Sequence, residues 1–239
     1  MGSGYFLKAA WRRLVMMNYV IDPQVLTNYV PRHTELDFWD GKCYVSLVGF
    51  MFQNTQVKGI RVPWHVNFEE VNLRFYVRYK DGEAWKRGVV FVNEIVPKPL
   101  ISWIANILYK EHYLCLPMHH EWIERNHQLE IAYSWKKKHW HHMKVIASPD
   151  SKPIEPGSEE EFISEHYWGY TKVHDRTSEY EVEHPRWEVY PIQSFSLALN
   201  FEKVYGSDFA FLNNMQPHSV FLAEGSAIGV KKGKWITGT

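Results

Sequence analysis

The stretch Val66-Asn-Phe-Glu-Glu-Val-Asn-Leu-Arg-Phe-Tyr-Val-Arg-Tyr79 decides how the rest of the chain is read, because its residue types alternate throughout. At the two-residue period of a strand, Val71, Leu73, Phe75 and Val77 share one face, and Phe68, Glu70, Asn72, Arg74, Tyr76 and Arg78 share the other. The first face is apolar and the second is a ladder of acid, amide and base. On an open antiparallel sheet such a ladder faces water, whereas in a closed barrel it lines a cavity. Periodicity alone leaves both arrangements open.

The neighbouring segments extend the sheet. After an Asp81-Gly82 turn, Gly88 to Val96 reads as an antiparallel partner, giving a hairpin. Upstream, Leu36 to Gly41 predicts a short strand running into an Asp-Gly turn. Cys43 to Phe52 is almost continuously apolar, as in a strand buried on both faces. Asn54 to Pro63 reads as a loop.

Further out, Leu7, Trp11, Leu14 and Val15 recur at helical spacing between Tyr5 and Val20, and Asp22-Pro23 opens a second short helix that Pro31 ends. Pro97-Lys98-Pro99 breaks the sheet. Ile101, Ile104, Ala105 and Leu108 then predict a helix that covers the apolar face of Val71 to Val77.

In the second half, Tyr113 to Pro117 is extended, and Leu129 to Trp135 pairs with Trp140 to Ala147 as a hairpin. Residues 148–161, rich in proline, serine and acid, read as a surface loop in which Ser158 and Glu161 have capping-box spacing. Tyr180 to Tyr190 alternates around Pro185, which marks a bulge or a sheet edge. Val220 to Ala223 and Ala227 to Val230 flank an expected Glu224-Gly225 turn, completing a C-terminal hairpin. The expectation is a β-rich α+β fold in a single domain over residues 1–239, with residues 1–4 left open as native, a tag remnant or a disordered start.

Composition agrees with strands and narrows the partners. Aromatic residues make up 16% of the 239 residues, with 11 tryptophans and 14 tyrosines, and such rings pack well on pleated surfaces. Lysine plus arginine equals aspartate plus glutamate at 27 each, so no net field draws nucleic acid. No run approaches the ~20 apolar residues that span a bilayer. Cys43 and Cys115 stand singly, without metal spacing or disulfide density, which fits a reducing cytoplasm and a soluble protein.

Two histidine clusters invite a metal reading. His139 and His141 share a strand face, and His120 or Glu121 would supply a third ligand. The surrounding Lys136, Lys137, Lys138 and Lys144 oppose a cation, so the cluster reads as a solvated hairpin and no metal is expected. No phosphate loop, dinucleotide fingerprint or Gly-x-Ser-x-Gly elbow occurs, and no cofactor is expected.

Leu36-Asp-Phe-Trp-Asp-Gly41 followed by Tyr44 to Phe50, Phe68 to Val77, Gly88 to Phe91, and Glu183-His-Pro-Arg-Trp187 together resemble the YqjF-like family, uncharacterised bacterial proteins carrying domain of unknown function 2071. The resemblance runs from about Trp11 to the C-terminal hairpin. It implies a fold similar to acetoacetate decarboxylase, a cone-like antiparallel barrel with a few flanking helices and an internal cavity. The polar ladder then turns inward, and Glu70, Asn72 and Arg74 become candidate ligand-binding residues, with Arg74 suited to a carboxylate. Glu94, on the partner strand, is a candidate general acid or base.

In acetoacetate decarboxylase a lysine of low basicity, in a Pro-Lys-Lys stretch after a strand, forms a Schiff base with the keto acid. Here Pro97-Lys98 follows Val96, but Pro99 stands where the second lysine would be, so the match is one dipeptide. A helix N-terminus and an apolar pocket would both lower the pKa of Lys98, making it the candidate nucleophile; on an exposed turn it is simply solvated. The expected function is binding of a small anionic or carbonyl-containing molecule in a barrel cavity, with decarboxylase-like lyase chemistry at Lys98 as its enzymatic form. The alternative is a non-catalytic ligand-binding or self-associating protein, with a homo-oligomer as the partner.

Overall fold

A computed structural model describes residues 4–61, 63–99 and 113–236. The expected helix through Ile101, Ile104 and Leu108 lies outside the described residues. The first half contains β1 (Tyr5–Ile21), β2 (Thr34–Leu36), β3 (Cys43–Val57), β4 (Phe68–Asp81), β5 (Ala84–Val96) and β6 (Tyr113–Cys115). There follow β7 (Met118–Arg125), β8 (Gln128–Lys137), β9 (His139–Ala147), β10 (Lys152–Pro153) and the helix α1 (Glu159–Ser164). The last third holds β11 (Trp168–Val173), β12 (Arg176–Glu183), β13 (Glu188–Tyr190), β14 (Ile192–Ala198), α2 (Phe201–Tyr205), β15 (Ser219–Lys231) and β16 (Lys234–Trp235).

The main sheet runs β15-β1-β3-β4-β5-β11-β12, and β12 pairs again with β15, so the path nearly closes on itself. The seams that bring in the β11–β12 hairpin are short. β5 meets β11 in parallel only at Gly88 and Val89, and β12 meets β15 only at Val182 and Glu183. A second sheet, ordered β14-β9-β8-β7, lies against the outside of β1, β3 and β4.

This arrangement gives the central strands two buried faces. Val71, Leu73, Phe75 and Val77 of β4 join Val45 and Leu47 of β3 and Val15 and Met17 of β1 in a core shared with Ile131, Tyr133, Trp135, Met143 and Val145 of the second sheet. Each such side chain contributes about 1.5–3 kcal/mol on burial. The two sheets approach so closely at Gly49 that a Cβ there would stand 2.7 Å from Met143 Sδ. The apolar face of β4 is thus covered by a sheet.

Several sequence expectations are corrected by the same fact. Residues 5–20 form a strand instead of a helix, because β1 has two buried faces and two breaks in phase. Phe6, Ala9 and Trp11 belong to the interior side before the bulge at Arg13, and Leu14 and Met16 belong to it afterwards. Arg13 itself has φ 54°. The one-residue shift leaves Leu7, Trp11 and Leu14 at a spacing that imitates a helix.

The expected Glu224-Gly225 turn is likewise a bend within one continuous strand, β15. Gly225 (φ 79°) sits opposite Arg12 beside the β1 bulge, where a Cβ would fall 2.2 Å from the Trp11 carbonyl oxygen. An Arg13–Glu224 ion pair at 2.9 Å and a Tyr190 hydroxyl donating to Glu224 at 2.7 Å fix the bend.

Other expectations are met with small shifts. Asp22 caps a 3-10 turn at Pro23–Leu26, and Asp40 and Gly41, both at positive φ, form the hairpin turn bridged by Trp39 and Lys42. β3 runs on to Val57, so the following loop starts later than expected. Ser158 Oγ accepts from Glu161 N at 3.2 Å while the Glu161 carboxylate accepts from Gly157 N at 2.6 Å, so the capping box closes one residue early. The β8–β9 hairpin forms, but it is half-buried: Tyr133, Trp135, His141 and Met143 face the core.

After α1 the chain is pinned by His166, whose ring is 1% exposed. A neutral ring protonated on Nε2 donates to Asp37 Oδ2 at 3.1 Å, and Arg87 Nε donates to the same oxygen at 2.7 Å. Burial pushes the His166 pKa down from 6.5 to about 4, more than the Asp37 bond raises it.

Two outcomes follow. Gly225→Ala forces a left-handed alanine against the β1 backbone and should lower stability by about 1–3 kcal/mol in urea unfolding; an unchanged midpoint would contradict the bend. Between pH 6.5 and pH 4 the unfolded chain binds a proton at His166 that the folded chain refuses, so stability falls as pH drops through that window, by up to ~3 kcal/mol. His166→Gln should flatten this slope. Part of it persists, because burial also lowers His141 and His184.

Candidate ligand site

Within the nearly closed sheet lies a cavity of about 100 Å³, far larger than the ~10–15 Å³ a single water needs. β4 sends Phe68, Glu70, Asn72 and Arg74 into it at alternate positions, so the polar ladder faces inward. Glu70 and Asn72 are each 2% exposed and Arg74 9%.

Cross-strand register arranges the lining in rows. Trp11, Phe52 and Phe68 stand opposite one another on β1, β3 and β4. The next row pairs Phe50 with Glu70, the next carries Asn72 opposite Glu94 of β5, and the last brings Arg74 beside Ser46. Successive rows are ~7 Å apart, two residues along a strand. The cavity therefore grades from an aromatic end to a polar end.

Glu94 faces the cavity because β5 slips by one residue near Val92. Asn93 pairs with Leu73 but Phe91 pairs with Arg74, so Val89 and Phe91 point inward before the slip and Glu94 and Val96 after it. A uniform two-residue alternation would have placed Phe91 and Glu94 on opposite faces.

The polar end is held by a few specific bonds. Asn72 Nδ2 donates to Glu70 Oε1 at 2.9 Å, and the Tyr113 hydroxyl donates to Glu70 Oε2 at 3.3 Å. Arg74 Nη2 donates to the Ile163 carbonyl at 3.1 Å and lies 3.9 Å from Met16 Sδ, and the guanidinium sits 5.6 Å from the Tyr76 ring centre. Among the described residues no carboxylate pairs with Arg74, and Arg74 Nε and Asn72 Oδ1 have no hydrogen-bond partner.

Tyr76 is itself fixed through Ser46, 2.7 Å from its hydroxyl, and Ser46 donates to Asn18 at 2.6 Å. His166 and His184 border the same cavity. Both have lowered pKa values, through burial first and the Arg74 charge as a lesser cause.

Lys98 is placed differently. It is half-buried beyond the end of β5, and no lysine lines the cavity among the described residues. Its charge acts on Glu69, which alternates with Glu70 and so points to the other face of β4. Burial pushes the Glu69 pKa up, but a 2.6 Å bond from His120 and the Lys98 charge hold it below the usual range. The Cys43 thiol is buried and pushed up to about 11, and Cys115 is exposed.

Sequence reasoning reached Glu70, Asn72, Arg74 and Glu94 but passed over Asp37, His166, His184 and Trp187. Asp37, His184 and Trp187 lie inside stretches that carried the family resemblance, which was the available signal. His166 follows a short helix with no pattern of its own.

Comparison with known proteins places these features in a family. Residues 8–227 match the DUF2071 family, described as an uncharacterized conserved protein. The uncharacterized protein YqjF of Bacillus subtilis is 26% identical over 188 residues, spanning 77% of this chain and 74% of that protein. Among solved structures, the acetoacetate decarboxylase of Legionella pneumophila aligns over 98% of this chain and 90% of its own, with a TM-score of 0.65 at 12% identity. The enduracididine biosynthesis enzyme MppR, complexed with pyruvate, aligns over 97% and 90%, with a TM-score of 0.68 at 12% identity. An acetoacetate decarboxylase-like enzyme from Sphingomonas wittichii aligns over 98% and 94%, with a TM-score of 0.66 at 9% identity. At these identities the structures establish the fold, which is the acetoacetate decarboxylase-like one. Matched by that family model over residues 8–227, the chain belongs to the DUF2071 family of uncharacterized conserved proteins.

Proposed function

We propose that the cavity binds a small anionic or carbonyl-containing molecule, with Arg74 taking its negative end and Glu70 and Asn72 flanking it. The observation that carries this reading is the state of Arg74. A buried guanidinium without a carboxylate partner is costly, and its Nε and the Asn72 carbonyl oxygen, both unpartnered among the described residues, form a donor and an acceptor suited to a ligand. A carboxylate would satisfy the Arg74 fork and offset the desolvation of its charge. The likeness in fold to a protein solved with pyruvate supports the choice of a short oxo acid as the first probe.

Imine chemistry requires an amine that reaches the ligand. Lys98 stays outside this reading because it is not among the residues lining the cavity. The function that follows is binding, with turnover not required.

Calorimetric titration with pyruvate, acetoacetate and acetate should show binding by at least one of them. Arg74→Lys, which keeps a charge but removes Nε and the fork, should weaken it at least tenfold, about 1.4 kcal/mol. No heat from any of the three, with the folded protein verified by its unfolding curve, would contradict the proposal. Borohydride reduction in the presence of pyruvate should leave Lys98 unmodified by mass spectrometry. A reduced pyruvyl adduct on Lys98 would move the chemistry to the Glu69 face of β4.

A further inference from the structure

His166 borders the cavity with only one of its two ring nitrogens engaged among the described residues. Nε2 faces Asp37 Oδ2 at 3.1 Å, and Arg87 Nε donates to the same oxygen at 2.7 Å. Burial pushes the Asp37 carboxyl up, but the bonds from His166 and Arg87 hold it below the usual range. An ionised carboxylate only accepts, so this bond requires the imidazole proton on Nε2. Burial keeps the ring neutral at pH 7, with its pKa lowered to about 4. Nδ1 is then a bare lone pair. It has no hydrogen-bond partner among the described residues, although the side chain is only 1% exposed.

Aromatic neighbours hold this ring close to Arg74. The imidazole centre stands 4.8 Å from the Tyr76 ring and 5.0 Å from the Phe162 ring. The Arg74 guanidinium lies 5.6 Å from the same Tyr76 ring, and Arg74 Nη2 donates to the carbonyl of Ile163, on the segment that leads into His166. Tyr76 is thus a direct neighbour of both groups.

The unpartnered atoms at this end of the cavity set a pattern that a ligand has to match. Arg74 Nε is a donor, whereas His166 Nδ1 and Asn72 Oδ1 are acceptors. Trp11 Nε1, another unpartnered donor of the lining, stands in the Phe52 and Phe68 row, away from Arg74. A complementary ligand brings an anionic oxygen for Arg74 and a hydrogen for one of the acceptors. A carboxylate that also carries a hydroxyl does both. A keto oxygen in place of that hydroxyl sets lone pair against lone pair and leaves the buried acceptor unsatisfied.

We infer that His166, fixed in one tautomer by Asp37, is a specificity-determining acceptor of the cavity, and that it selects short hydroxycarboxylates over the matching oxo acids. This rests on the binding reading above and names the ligand class within it. A site built to accept a hydroxyl hydrogen discriminates strongly against analogues that lack one.

Calorimetry at pH 7 with matched acids tests the selection. Butyrate, acetoacetate and 3-hydroxybutyrate share a chain length and a carboxylate and differ in one substituent; propionate, pyruvate and lactate repeat the comparison at shorter reach. In at least one set the hydroxy acid should bind at least tenfold tighter than both others. His166→Phe, which keeps a ring but removes the acceptor, should erase that preference and leave the affinities of the other two acids unchanged. Should this variant fail to fold, nitrogen NMR of histidine-labelled wild-type protein reads the same contact: the bound hydroxy acid should move an unprotonated Nδ1 resonance to lower frequency, and the acid without a substituent should not.

Hydroxy acids binding no tighter than their oxo partners in both sets would overturn the inference and leave the binding reading intact. A hydroxyl preference that survives His166→Phe, or an Nδ1 resonance that stays in place, would also overturn it. Binding by none of the six acids would overturn both.

Discussion

The structure depends on one strand being buried on both faces with opposite chemistry on each. Toward the second sheet, β4 presents Val71, Leu73, Phe75 and Val77, which are fully enclosed. Toward the interior it presents Glu70, Asn72 and Arg74, which are nearly as enclosed but polar. Placing a guanidinium and a carboxylate in such a setting is unfavourable unless the surrounding fold supplies hydrogen bonds. Asn72, Tyr113 and the Ile163 carbonyl supply part of that requirement, and Arg74 retains Nε without a partner among the described residues. The apolar face secures the strand, and the polar face lines the cavity.

Bulges translate the sequence into that geometry. The slip near Val92 turns Glu94 into the cavity, and the bulge at Arg13 keeps both Trp11 and Leu14 on the interior side although they are three residues apart. Gly225 bends β15 beside the second of these, and its left-handed backbone under the Trp11 carbonyl admits no side chain. Each irregularity sits beside the cavity, where re-aiming one side chain is worth the loss of regular pairing.

These irregularities also mark where the sequence could be read and where it could not. The β4 alternation was legible because both faces differ in type, and the doubly apolar run from Cys43 identified β3 directly. Which way the ladder faces is not in the periodicity; it follows only from the resemblance of stretches such as Phe68 to Val77 to a family for which an acetoacetate decarboxylase-like fold is the expectation. β1 imitates a helix in sequence because a strand with two buried faces loses its polar alternation and a bulge shifts what remains. β15 imitates a hairpin because a glycine at positive φ inside a strand has the same local signature as a turn. His166 was invisible because its role arises from Asp37 and Arg87, more than a hundred and about eighty residues away in sequence respectively, which only the fold brings together.

The most direct measurement of whether Arg74 is built for an anion is a crystal structure of the protein grown with pyruvate. A carboxylate is expected inside the cavity with an oxygen ~2.7–3.2 Å from Arg74 Nε. Density for pyruvate elsewhere, or an Arg74 closed onto a carboxylate of the protein itself, would contradict it.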